Sequence, residues 1–365
     1  ATTMSELLTR GLSGAASRPL GVLCAAIVLV CLSGYLAAQW LAGQKFLAGA
    51  FPISALGALV LFALMIVSYT AIGGFRGSVY VDSLQAVIRV IGTAVALGAV
   101  FVMASREPAL HERLAAAGPS FLQLAPSGAL IGSIAFALGF GAAALGFNLG
   151  QPHLVSRYLA GADPQETRAA WWIYIGFVQF TWTSMTVFGV VLRGVMPDLA
   201  EPEAGLSIFF HERMGPILTG IIVADVFATI SATSNSLLVA MAQALGRDVV
   251  PLLGRGLRLP EAVGCILLGA VTMGASLVLP GSVMSLALSS VSLMAASVAP
   301  AVLIRVVGWR HDARSLLVAV VAGFGCALAW RMAGLSDAFN ESAPGIAGSL
   351  LAHYLVVRLS TRRPA

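Results

Sequence analysis

The chain has 365 residues, of which 58% are hydrophobic and only 10% are charged, and its mean hydropathy is +0.91. Soluble domains carry about 25% charged residues, so this composition predicts a multi-pass membrane protein. The net charge of +5 is small for the length and is typical of membrane topology, which argues against nucleic-acid binding. The four cysteines form no CxxC motif or Cys/His cluster, which disfavours structural disulfides and zinc.

Ten apolar stretches approach the length of about 20 residues that a membrane-spanning helix needs. They lie at 19–43, 51–73, 79–104, 127–149, 169–193, 215–244, 260–279, 282–307, 314–334 and 345–359. Between the fifth and sixth, residues 196–213 predict a polar loop that ends in a short interfacial helix. No loop is long enough to form an extramembrane domain.

Lysine and arginine residues predict the orientation of the chain. Ten spans place both ends on the same side of the membrane, and 14 of the 21 Lys and Arg residues fall on that side. Six fall on the other side, and Arg89 lies within a span. Because positively charged loops face the cytoplasm, both termini of this chain are predicted to be cytoplasmic, with residues 1–18 as a cytoplasmic lead-in.

The sixth span carries an unusual polar load for a membrane helix. Asp225, Thr229 and Thr233 are spaced by four and therefore share one helix face. Polar groups facing lipid cost several kcal/mol each, so this face must meet protein or a water-filled path. We interpret Asp225 as a possible ion-coupling residue. A structural pair with an arginine such as Arg89, or a polar contact near the outer mouth, is the alternative.

The end of the fourth span combines helix-breaking and polar residues. Asn148, Gly150, Gln151 and Pro152 follow one another closely. Transporters place substrates at discontinuous helices, where unwound backbone offers free polar groups. An ordinary helix end with a proline stop explains the same pattern.

A second junction joins the second and third spans. Gly73 and Gly74 predict a tight cytoplasmic turn, and Asp82 and Gln85 lie on one face of the third span. Asp82 is interpreted either as a helix-capping acid or as the inner mouth of an ion path.

Three stretches together resemble the sodium:solute symporter family, and most closely its proline permease branch. They are YTAIGGFRGSVYVDSLQ at 69–85, GQPHLVSRYLA at 150–160 and ATISATSNSLLVAMAQALGRD at 228–248. The resemblance extends over essentially the whole chain. It implies an all-α fold of the leucine-transporter type, with two inverted repeats of five helices and with substrate and sodium near the bilayer midplane.

On that plan the chain is one transporter domain with about ten transmembrane helices and an incomplete first repeat. Residues 19–104 correspond to the remainder of the first repeat, 127–307 to the second repeat, and 314–359 to peripheral helices. The start resembles the family's cytoplasmic loop after its second core helix. A fragment of a longer reading frame is therefore expected, and a degenerate, non-transporting paralogue is the alternative.

The resemblance also implies binding residues. The family's sodium ligands fall on Thr229, Ala232 and Thr233. Ala232 replaces the usual serine and loses a hydroxyl ligand, so sodium affinity is lowered unless a neighbour such as Ser231 or a water repairs the site. An aromatic pair of the proline permeases falls on Ala144 and Asn148. Pro152 matches the family's proline, and Gln151 lies beside it. The expected substrate-binding residues are therefore Ala144, Asn148, Gln151 and Pro152. With Asn148 in place of a tyrosine, the implied pocket has less aromatic surface and is more polar, which argues against proline itself as the substrate.

The implied function is sodium-coupled import of a small organic solute, plausibly an amino acid or organic acid, across a bacterial-type inner membrane. Sodium is the coupling ion, no other cofactor is expected, and the lipid bilayer is the surrounding partner. No nucleophile–base pair or metal motif predicts an enzyme. The alternatives are a sensory or scaffolding module that keeps the fold without transport, a truncated fragment that is inactive by itself, and proton or ion conduction as in a channel.

Overall fold

The computed structural model describes residues 1–118, 121–123, 130–200, 202–254, 257–279, 282–336 and 339–361. Within these ranges the chain is helical and contains no strand, as predicted. The helices are α1 (Met4–Thr9), α2 (Ser17–Ala50), α3 (Ala55–Ala104), α4 (Leu110–Ala116), α5 (Leu130–Gly150), α6 (Pro152–Leu159), α7 (Pro164–Val195), α8 (Gly205–Arg213), α9 (Pro216–Ala244), α10 (Val250–Leu253), α11 (Glu261–Ser276), α12 (Val283–Val307), α13 (Ala313–Met332) and α14 (Ser342–Thr361). A short 3₁₀ turn, Pro202–Ala204, precedes α8, and a π-helical turn, Leu245–Val249, follows α9.

Each predicted span coincides with a helix or with part of one. By length and composition, six helices of the described chain can cross a membrane: α2, α3, α7, the continuous segment Pro216–Leu253, α12 and α13. The apolar helix α11 and residues Phe136–Gly150 of α5 are shorter, and α14 is not among the six. The start of the fourth predicted span, 127–129, lies outside the described residues.

Helix α3 contains two predicted spans because the chain reverses direction inside it. Gly74 has φ 52° and ψ −153°, a conformation that glycine adopts at little cost. Residues 55–73 run parallel to α9, since Phe62 meets Phe227 and Thr70 meets Asn235. Residues 75–104 run antiparallel to it, and the predicted glycine turn is the bend between these two arms.

Small residues allow α12 to pack closely against its neighbours. A Cβ atom placed on Gly146 of α5 would lie 2.6 Å from the Cβ of Ala295. One placed on Gly323 of α13 would lie 2.2 Å from the carbonyl oxygen of Ala296, and one on Gly345 of α14 2.4 Å from the Cβ of Ala296. Membrane helices depend on such close approach because lipid provides no hydrophobic drive between them.

The short helix α8 confirms the helical end of the predicted 196–213 loop. Its Phe209 and Phe210 are fully buried and pack against Phe188 of α7 and Ile222 of α9. The helix is therefore anchored to the protein through its two aromatic side chains.

Candidate ion and solute sites

The three residues assigned to sodium by resemblance share one face of α9. Thr229, Ala232 and Thr233 are partly exposed, whereas Ser231 and Ser234 on the other side of the helix are fully buried. The Thr229 hydroxyl donates to the carbonyl of Asp225 at 2.9 Å, and the Thr233 hydroxyl donates to the carbonyl of Thr229 at 3.1 Å. A hydroxyl that donates in this way still offers its lone pairs to a cation.

Ser231 does not lie beside these residues. Its hydroxyl donates to the carbonyl of Phe227 at 2.7 Å and accepts a hydrogen bond from Gln85 Nε2 at 2.7 Å. Because two residues along a helix correspond to about 200° of rotation, Ser231 points away from Thr229 and Thr233. The suggestion that Ser231 replaces the missing serine ligand is therefore wrong in this arrangement.

Asp225 forms an ion pair between α9 and the second arm of α3. Its side chain is fully buried, and Arg89 Nη1 donates to both carboxylate oxygens at 3.1 Å. Gly92 provides the necessary space, since a Cβ atom there would lie 2.4 Å from that of Asp225. The structure thus contains the Arg89 pair that the sequence left as an alternative, and the charge of Asp225 is balanced within the protein.

Asp82 lies in a second polar network, at the end of α9 nearest the Gly74 turn. Ser236 donates to Asp82 Oδ2 at 3.0 Å, Asn235 donates to Oδ1 at 3.3 Å, and Arg157 of α6 forms a close ion pair with Oδ2. The same guanidinium donates to the hydroxyls of Ser78 and Ser236 at 3.1 and 2.8 Å. The network therefore joins α3, α6 and α9.

Arg157 is a residue whose role the sequence did not predict, because it falls between the predicted spans 127–149 and 169–193. Asp82 is the residue that could have indicated this role, because an acid within apolar helices requires a cationic or hydrogen-bonding partner. In the structure Arg157 lies on the short helix α6, and its side chain is 29% exposed.

The predicted break between the fourth span and its exit is present. Helix α5 ends at Gly150, Gln151 has extended backbone, and Pro152 begins α6. Gln151 and Pro152 are buried, and neither amide atom of Gln151 has a hydrogen-bond partner among the described residues. A buried amide without partners costs on the order of 1–3 kcal/mol, so this side chain requires a water or a ligand group.

Ala144 and Asn148 lie one turn apart on α5, before the break. Asn148 is exposed; its Nδ2 donates to the carbonyl of Ala144 at 2.9 Å, and its Oδ1 accepts from the hydroxyl of Tyr174 at 3.2 Å. Tyr174 of α7 thus contacts a predicted solute residue. The four predicted solute residues therefore fall into two pairs: Ala144 and Asn148 on α5, which are partly exposed and exposed, and the buried Gln151 and Pro152 at the break.

Comparisons with known proteins identify the family of the chain. The family model for the sodium:solute symporter family matches residues 1–323. The chain is 24% identical to the osmoregulated proline transporter OpuE of Bacillus subtilis, over 95% of this chain and 72% of the relative. It is 25% identical to the high-affinity proline transporter PutP of the same species, over 80% and 63%. It is 29% identical to the sodium/pantothenate symporter of Escherichia coli, over 64% and 48%.

A solved structure shares the fold. It is a substrate-bound, outward-open Na⁺-coupled sialic acid symporter with a TM-score of 0.77 and 18% identity, over 98% of this chain and 77% of that chain. The all-α, leucine-transporter-type fold is therefore confirmed. The chain spans only about half to three quarters of the length of the curated relatives named above. With the family match covering most of its residues, the chain belongs to the sodium:solute symporter family of membrane transporters.

Proposed function

We propose that the complete protein is a sodium-coupled symporter that imports a small organic solute with a carboxylate group. The main support for a polar solute at this position is the amide of Gln151, which is buried at the α5–α6 break without a hydrogen-bond partner among the described residues. The first turn of α6 begins beside it, and a helix N-terminus favours negative charge. Proline and pantothenate, named in the relatives, are both carboxylates, which supports an amino acid or organic acid.

We further propose that sodium binds at the α9 face of Thr229, Ala232 and Thr233. Sodium is a hard cation that requires oxygen ligands, and this face offers two hydroxyl oxygens next to the fully buried Asp225. Asp225 takes part in coupling only if Arg89 is displaced from it. Asp82 takes part only if Arg157 moves, because each carboxylate now has its own guanidinium.

Changing the hydroxyls of this face tests the sodium site. Thr233→Ala is expected to abolish sodium stimulation of solute uptake, because the adjacent hydroxyl is already missing at Ala232. Ala232→Ser is expected to increase the apparent sodium affinity by restoring an oxygen ligand. Uptake by the complete gene product in proteoliposomes, measured against sodium concentration, provides both results. Unchanged sodium dependence in Thr233→Ala places the ion elsewhere.

The same assay distinguishes transport from the alternatives. Concentrative, sodium-dependent uptake supports the symporter. Solute binding without uptake supports a sensory or scaffolding module, and an ionic current without solute supports a channel. The sodium-symporter relatives favour the first outcome.

Replacing Gln151 with leucine separates a solute-binding role from a structural one. If the amide binds solute, its loss is expected to weaken solute affinity roughly 10- to 100-fold, the equivalent of one or two hydrogen bonds to a charged group. Thermal stability is expected to be unchanged or higher, because the amide has no protein partner to lose. Gln165→Leu, on the exposed first turn of α7, is the matched control. Lower stability with unchanged affinity contradicts the assignment.

We propose that both termini of this chain are cytoplasmic in a bacterial-type cell membrane, with the repeat boundaries given by the family plan. Lys45 and Arg258 lie on opposite sides in that topology. A cysteine at position 45 is expected to react with an impermeant thiol reagent from outside intact cells, and one at position 258 only after permeabilisation. The reverse pattern contradicts the orientation.

A further inference from the structure

Helix α1 is attached to the rest of the protein at both of its ends. At its start, Thr3 Oγ1 donates to Asp248 Oδ1 at 2.9 Å, just beyond α9. At its end, Arg305 of α12 donates through Nη2 to the carbonyl of Arg10 at 2.6 Å. Met4 and Leu8 are buried between these two attachments. Helix α1 therefore forms a strap from the end of α9 to the end of α12.

Arg305 is held in place by a histidine of the α12–α13 loop. Its Nη1 lies 3.1 Å from Nε2 of His311, whose Nδ1 lies 2.6 Å from the carbonyl oxygen of Trp309. A carbonyl only accepts hydrogen bonds, so Nδ1 must carry a hydrogen. A guanidinium only donates, so Nε2 must carry a lone pair. Both contacts are satisfied only by the neutral, Nδ1-protonated form of His311.

Protonation of His311 removes this arrangement. Nε2 then becomes a donor facing another donor, and two cations lie within hydrogen-bonding distance of each other. Other charged or titratable groups around the loop include Arg10 at the end of α1, Arg310 and Asp312 in the loop, Arg314 in the first turn of α13, and His353 of α14, which lies against the Arg310 backbone. Asp312 accepts from the Ser315 backbone N–H at 2.7 Å in a capping box, which commits one of its oxygens to starting α13.

We propose that His311 is a pH-sensitive latch for helix α1. Neutral His311 orients Arg305 to hold the carbonyl of Arg10, and protonated His311 repels Arg305 and releases the C-terminal end of the strap. The latch is therefore closed while His311 is neutral and opens once its ring carries a second proton. This inference concerns the α1 attachment and does not depend on the transported solute.

Hydrogen exchange of α1 tests the latch in the purified protein in lipid nanodiscs, labelled at several pH values from 5.5 to 8 and corrected for intrinsic exchange rates. In the wild type, the protection of residues 4–10 is expected to fall about tenfold or more at low pH, the scale of one hydrogen bond to a charged group. His311→Gln retains an acceptor at the position of Nε2 and cannot become charged. It is expected to stay protected at every pH.

Three further variants distinguish the latch from other causes. His311→Lys, with a permanent charge, is expected to exchange rapidly at every pH. His353→Gln and the remote His211→Gln are expected to keep the wild-type pH dependence. The proposal is overturned if wild-type protection does not change with pH, or if His311→Gln still loses protection in acid. A loss of pH dependence in His353→Gln instead assigns the response to His353. Because His311→Gln introduces no charge, it decides the question even if His311→Lys does not fold.

Discussion

Replacing Arg89 with leucine is expected to destabilise the protein by about 3–5 kcal/mol, which is the typical cost of leaving one member of a buried ion pair without its partner. The Asp225 side chain is fully buried, and both of its oxygens accept from the same guanidinium nitrogen. Asp225→Leu is expected to destabilise the protein less, because the Arg89 side chain that it leaves without a partner is 20% exposed to solvent. The loss of unfolding free energy is measured by denaturant unfolding in mild detergent.

The double variant Arg89→Leu/Asp225→Leu decides what the pair contributes. Removing both charges is expected to restore stability to within about 1–2 kcal/mol of the wild type, since apolar residues often replace a buried pair at little cost. Arg106→Leu, at an exposed position just after α3, is the control for losing an arginine. A single Arg89 variant as stable as the wild type contradicts the assignment.

The same double variant tests the coupling hypothesis for Asp225. If Asp225 only pairs with Arg89, the stable double variant is expected to keep normal sodium-stimulated uptake. If Asp225 couples the ion, the double variant is expected to lose sodium stimulation despite its stability. The isosteric Asp225→Asn, assayed across pH and sodium concentration, provides an independent measurement of the same role.

Replacing Arg157 with alanine is expected to cost about 2 kcal/mol. This is below the value for a fully buried pair because the side chains of Arg157 and Asp82 are 29% and 20% exposed. The loss has two sources: Asp82 loses its countercharge, and the hydroxyls of Ser78 and Ser236 lose a shared donor. Because Arg157 is the charged link from α6 to this network, the junction that follows Gln151 is expected to loosen. Exchange of the α6 amides therefore increases together with the loss of stability.

Two comparisons make the Arg157 result specific. Arg157→Lys keeps the charge, but its ammonium lies on a shorter side chain than Nη2, the one guanidinium nitrogen that contacts Asp82, Ser78 and Ser236. It is therefore expected to recover only part of the stability. Arg168→Ala, on the exposed first part of α7, removes an arginine outside the network and is expected to be neutral. Equal effects of the alanine variants at 157 and 168 would contradict the role given to the network.

The parts of the fold that could be predicted are those determined by local composition. Apolar length located the helices, and the paired glycines located the reversal at Gly74, because only glycine adopts that conformation cheaply. The need of a buried acid for a cation identified Arg89 as a possible partner of Asp225. The residues around the α5–α6 break were likewise identified from their helix-breaking pattern.

The remaining contacts depend on tertiary placement, which composition does not encode. Helix α6 is so short and polar that its sequence resembles a loop. The ion pair between Arg157 and Asp82 was therefore not predicted. Tyr174 contacts Asn148 only because α7 passes beside α5. Ser231 was a different kind of error, since helix geometry alone separates it from Thr229 and Thr233.

The reversal at Gly74 has a mechanical consequence for α9. Contacts with the two arms of α3 are distributed along α9: Arg89 at Asp225, Gln85 at Ser231, and Thr70 and Ser78 at Asn235. One arm runs parallel to α9 and the other antiparallel to it. Sliding α9 along its axis by a single turn would therefore break all of these contacts at once. The three segments are therefore expected to tilt as one rigid block, with the π-helical turn of Leu245–Val249, which lies beyond these contacts, as the expected hinge.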